Sequence, residues 1–149
     1  MSRATPQMRA FAERLIAYET KEAKSAKIKN VLTFLVIERL RPHLATLMGS
    51  TGFRALLSRA LTLAGAEVPW LRVVHVKTDG SLEEPEGLET QTDERGIVEG
   101  KIILLAQLLG LLAAFIGESL TVQLVLEVWP NLPLNNLDFG KGHKNEKTK

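Results

Sequence analysis

Three histidines, His43, His75 and His143, are the side chains of this 149-residue chain best suited to move protons or ligate a metal near neutral pH. No two of them stand three or four positions apart, the spacing that puts two ligands on one helix face, and no HExxH motif is present. The chain has no cysteine, which excludes disulfides, thiolate zinc sites, iron–sulfur ligation and a cysteine nucleophile. The acidic residues from Glu83 to Glu94 lack the alternating Asp/Asn pattern and central glycine of a calcium loop. No metal and no cofactor is expected.

Serine chemistry fares no better. A nucleophilic serine needs a strained elbow or a positioned histidine, and there is no G-x-S-x-G. Ser50, Ser58, Ser81 and Ser119 fall where caps, helix surface and turns are expected, so the protein reads as non-enzymatic. The run Gly49, Ser50, Thr51, Gly52 precedes a helix and could offer backbone N–H groups to an anion, with Arg54 adding charge. It lacks the order of a Walker A loop, and helix termination followed by capping accounts for the same four residues. Lys21, Lys24 and Lys27, with Arg54, form a candidate basic or anion-facing surface. No aromatic stacking platform accompanies them, so nucleic-acid binding stands as an alternative rather than the leading reading.

The charges are divided along the chain. Residues 1–68 carry 11 basic against 5 acidic residues, a net of +6, whereas residues 69–100 carry 3 against 8, a net of −5. The overall charge of +2 is therefore a cancellation, and the two segments are expected to neutralise each other within one fold. The hydrophobic fraction of 45% is too high for a disordered chain, and the charged fraction of 24% too high for a polytopic membrane protein.

Positioning these groups falls to helices. Thr5 and Pro6 mark a helix start, after which Met8, Phe11, Ala12, Leu15 and Tyr18 recur at helical spacing. A second helix is expected from residue 25 or 26 to 41, with Pro42 making a kink or opening a short new helix that ends before Gly49. Phe53, Leu56, Leu57, Ala60, Leu61 and Ala64 predict a third, capped by Ser50 or Thr51 and ended by Gly65 in a left-handed conformation. Residues 71–77, with Val73, Val74 and Val76, have β character and precede a turn at residues 78–81, with no matching second strand evident. An acidic loop over 78–94 follows.

A long helix then starts at Thr92 or Asp93. Residues 102–117 hold no formal charge, and Gln107 is their one strongly polar side chain. Sixteen residues at ~1.5 Å each span roughly 24 Å, less than the ~30 Å of a bilayer core, which favours burial inside a protein. Ala106, Gly110, Ala114 and Gly117 form a candidate helix-contact face, a small-residue stripe suited to a close helix crossing or to self-association. On that reading Gly110→Leu destabilises the fold or disrupts an oligomer. Residues 119–128 read as a last helix because Ser119, Gln123 and Glu127 keep a polar stripe where strand alternation fails. Trp129 and Pro130 close it, followed by an arm bearing Leu132, Leu134 and Leu137.

The fold expected is all-α: a compact bundle of about five helices with a short β-like excursion, a single domain over 1–138 and a flexible basic tail over 139–149. The function expected is a helical protein-interaction or regulatory module, with a protein partner or self-association. Alternatives are a peripheral or membrane-inserting helical hairpin over 102–126 and a nucleic-acid-binding helical protein. Arg3, Arg9, Glu13, Arg14 and Glu19 interrupt any apolar run near the start, so a cytoplasmic location is the default expectation.

Overall fold

The computed structural model describes residues 6–23, 35–83 and 93–130. Its described part is all-α, with four α-helices and one two-stranded antiparallel sheet. The helices are α1 (Pro6–Ala23), α2 (Leu35–Glu67), α3 (Glu94–Ile116) and α4 (Glu118–Val128). The expected start of the second helix, the Thr5 cap, most of the acidic loop and the tail lie outside the described residues.

Helix α3 is the axis of the packing and touches α1, α2 and α4. Its residues 102–109 are all buried, so it is apolar on every side because every side is covered. Asp93 starts it, its carboxylate accepting the Gly96 N–H at 2.9 Å. Met8, Phe11, Ala12 and Leu15 of α1 are buried together with the α3 leucines in one core. Arg9 of α1 donates to both carboxylate oxygens of Glu99 on α3, at 2.7 and 2.6 Å. These hydrogen bonds hold the Arg9 guanidinium above its usual pKa. The pair joins the basic half of the chain to its acidic segment.

Two expected helices are one. Helix α2 runs through Pro42, whose ring is exposed, and breaks only at Gly49 (φ 83°, ψ 156°), before which a helix end is expected. Proline removes a single hydrogen bond and is tolerated at this solvent-facing position, whereas φ and ψ at Gly49 are reached readily only without a Cβ. The break divides α2 into a first arm, burying Val36, Ile37, Leu40 and Leu44, and a second, burying Phe53, Leu57, Ala60, Leu61 and Ala64. Gly65 does not end the helix. It stays helical, φ is not positive, and its bare Cα makes room for Arg72, whose Nε donates to the Gly65 carbonyl at 3.0 Å.

The expected strand over 71–77 is mostly a 3₁₀ turn, Pro69–Val73. Tertiary anchors override the β propensity of the valines: Leu71 is buried, Trp70 Nε1 donates to the Gly96 carbonyl at 3.0 Å, and Arg72 reaches back to α2. What remains of the strand is β1 (His75–Val76), and it does have a partner, β2 (Leu82–Glu83), in the register His75↔Glu83 and Val76↔Leu82. The intervening turn is tied by Asp79, whose carboxylate accepts from the Ser81 hydroxyl at 2.6 Å and backbone N–H at 2.9 Å. These bonds hold its pKa below the ordinary carboxylate range. Arg41 of α2 donates to the Asp79 carbonyl at 3.1 Å and fixes the hairpin to the bundle.

Gly117 (φ 94°, ψ 155°) separates α3 from α4, and Thr121 donates its buried hydroxyl to the Gly117 carbonyl at 2.8 Å. Residues 118–128 are helical as their polar stripe implied, and Ser119, Gln123 and Glu127 face solvent. Arg39 stands 5.8 Å from the Trp129 ring centroid, and His43 stands beside Glu127. Helix α4 therefore returns alongside the first arm of α2 in the opposite direction.

Candidate functional site

The antiparallel approach of α4 to the first arm of α2 leaves a groove of about 360 Å³ between them. One wall is Pro42, His43, Thr46 and Leu47, on adjacent turns of α2; the other is Leu120, Gln123, Leu124 and Glu127, at helical spacing on α4, with Ile116 at the corner. The groove exists because Leu124 and Val128 turn into the core while their neighbours on the outer flank do not. Leu47 (47% exposed) and Leu120 (43%) lie along it, and Phe115 (68%) stands next to its corner residue. This end of the molecule thus carries three of its five large exposed apolar side chains among the described residues.

The opposite end is polar. His43 Nδ1 lies 3.9 Å from Glu127 Oε1, too far for a hydrogen bond. Both side chains are well exposed, so the pair contributes little to stability and marks the rim. Thr46 and Gln123 place a hydroxyl and an amide along the walls. The groove offers apolar contact with a few polar groups at its margin, the character of a surface that receives side chains of another segment.

A second concavity, about 530 Å³, lies between the second arm of α2 and residues 71–76. Two of its polar side chains are bonded to the backbone of α2: Thr62 donates to the Ser58 carbonyl at 3.1 Å and Arg72 to the Gly65 carbonyl at 3.0 Å. No group of three or more His, Asp or Glu that could hold a metal occurs among the described residues.

The residues singled out in the sequence are dispersed. Ala106 is fully buried, Gly110 is half-covered, Ala114 is exposed, and Gly117 lies beyond the helix in the interhelical corner. Among the described residues, nothing stands within 4 Å of where a Cβ on Gly110 would be. Lys24 and Lys27 lie outside the described residues, and Lys21 stands in the last turn of α1. Arg54 occupies the second arm of α2, where Nη2 donates to Thr51 Oγ1 at 3.4 Å, one turn back along the same helix. Sequence reasoning missed the pairing of Leu47 with Leu120 and of His43 with Glu127. Each member has an ordinary helical position, and only the order of packing brings them together.

The chain matches no known protein family, no characterised protein and no solved structure with which it was compared.

Proposed function

We propose that this protein is a non-enzymatic interaction module that docks a leucine-bearing segment of a partner protein in the groove between α4 and the first arm of α2. The observation that carries this reading is the presence of two half-exposed leucines, Leu47 and Leu120, on facing walls of an apolar groove with a polar rim. A helix or extended segment presenting leucines at regular spacing would bury both walls at once, and the Thr46, Gln123, His43 and Glu127 margin would fix its register. Selection from a display library of short peptides against the full chain tests it. Peptides with regularly spaced leucines are expected to be enriched, with binding lost by tenfold or more in Leu120→Asp, since a charge would enter the apolar contact. Absence of enrichment, or binding indifferent to Leu120→Asp, overturns the reading.

A second reading has its own support. Among the described residues, 95–116 of α3 are long and apolar enough to cross a membrane, and Phe115 projects at the corner leading to α4. Insertion of α3 and α4 as a hairpin would require α1 and α2 to come away from residues 102–109 and the Arg9–Glu99 bonds to break. Flotation with vesicles separates the two readings: co-flotation accompanied by loss of the Arg9–Glu99 contact favours insertion, and protein left in the soluble fraction opposes it.

A further inference from the structure

The concavity between the second arm of α2 and residues 71–76 sets an anchored guanidinium beside an apolar floor. We propose that it binds a small molecule carrying a single carboxylate on an apolar body, as a medium-chain fatty acid does. The site shares no residue with the groove between α4 and α2 and does not depend on the docking of a partner there.

The local sequence builds both parts. Ser58, Thr62 and Ala66 recur four apart on one face of α2, with Leu61 and Gly65 beside them. Facing them, the 3₁₀ turn passes into extended chain, where Leu71 and Val74 are buried while Arg72 and His75 are exposed. Leu61, Leu71 and Val74 belong to the core and Val76 packs against it, so the floor is fixed by the fold before any ligand arrives. A volume of about 530 Å³ falls within the ~300–1,000 Å³ of small-molecule sites.

Arg72 supplies the chemistry. Its stem lies over Gly65, where a Cβ would stand 3.1 Å from Arg72 Cγ, and its Nε donates to the Gly65 carbonyl at 3.0 Å. Anchored in this way, the side chain has already lost rotamer freedom that binding would otherwise cost. Nη1 and Nη2 bond to no described residue, and together they form the end-on fork that matches the two oxygens of a carboxylate. Among the described residues, no acidic side chain lines the concavity. The Ser58 hydroxyl keeps its proton for an anion, whereas that of Thr62 is spent on the Ser58 carbonyl. His75 stands opposite Glu83 in the hairpin register, which leaves Arg72 as the main attraction for a negative head. One guanidinium balances a singly charged carboxylate and leaves a phosphate dianion half neutralised, which selects the former.

Octanoate is the probe, titrated into the full chain and followed through the amide ¹H–¹⁵N shifts. Saturable shifts are expected over residues 58–66 and 71–76, with Leu47 and Leu120 on the groove walls unmoved. 1-Octanol, which has the same tail and no charge, should bind about fivefold more weakly or worse, and so should octanoate to Arg72→Gln. Arg59→Gln, at a neighbouring exposed arginine that does not line the concavity, should leave the affinity within about twofold. Arg72→Gln also removes an anchor of the 3₁₀ turn, so Ala66→Phe gives an independent check. It fills the concavity from an exposed helical position, leaves Gly65 and Arg72 in place, and should abolish the octanoate shifts while the remaining resonances keep their positions. Shifts confined to the groove, equal binding of 1-octanol, or affinity indifferent to Ala66→Phe overturns the proposal. So does the absence of saturable shifts at millimolar octanoate.

Discussion

At the scale of single residues, the tightest fit at any described glycine is between Trp70 and Gly100. A Cβ on Gly100 would stand 2.4 Å from Trp70 Cζ2 and 2.7 Å from Cε2, closer than such atoms approach, and Trp70 is held in place by its bond to the Gly96 carbonyl. Gly100→Ala must therefore displace the indole, the 3₁₀ turn or the first turns of α3. The expected cost is about 1–3 kcal/mol, the range for overpacking, despite the better helix propensity of alanine. Denaturant unfolding of a double-mutant cycle checks the cause: in a Trp70→Leu background the cost of Gly100→Ala should shrink by about 1 kcal/mol or more. An undiminished cost would place the clash elsewhere. The sequence contains no sign of this pair, because nothing in the pattern around Gly100 distinguishes a glycine that admits a ring from one that merely weakens a helix.

Among the elements, the glycines divide by the backbone they serve. Gly49 is in open space, yet its φ and ψ belong to a region essentially restricted to glycine, whereas Gly110 is both in open space and helical. Gly49→Ala is expected to cost about 1–3 kcal/mol, and Gly110→Ala to stabilise by about 0.5–1 kcal/mol, both read from thermal or urea unfolding. Destabilisation by Gly110→Ala, or loss of a larger species by light scattering, would reveal a helix packed on the small-residue stripe from outside the chain. Legibility followed the range of the signal. The core face of α1, the Asp93 cap and the helical state of α4 are written in residues within a few turns of each other, and the structure agrees with them. Pro42, Gly65 and Val73 misled because their surroundings in the fold decided them: Pro42 faces solvent, Arg72 reaches Gly65, and the Trp70 and Arg72 anchors hold Val73 in a 3₁₀ turn. The two-residue β2 is too short to show any alternation. The groove was the least legible feature, since its walls come from segments about 75 residues apart.

Across the whole molecule, stability and interaction fall on different leucines, and that separation can be measured. Leu104 is fully buried in the central helix, in the core that α1, α2 and α4 share, while Leu120 stands almost half in solvent on the groove wall. The charge division serves the same body: Arg9 with Glu99 and Arg41 with the Asp79 carbonyl bind the basic half to the acidic segment. Leu104→Ala leaves a cavity in the shared core and is expected to cost about 2–5 kcal/mol in urea unfolding. Leu120→Ala removes a half-exposed side chain and should cost about 1 kcal/mol or less, well below the Leu104→Ala loss. If the groove is a docking site, the order reverses for binding measured below the unfolding transition. Leu120→Ala then weakens a leucine peptide several-fold, and Leu104→Ala leaves its affinity within about twofold for the fraction that is folded. Two leucines of the same kind, one helix apart, would thus report separately on what holds the bundle together and on what it holds. A large stability loss at Leu120 would instead make that surface part of the core, and the groove would lose its standing as a site.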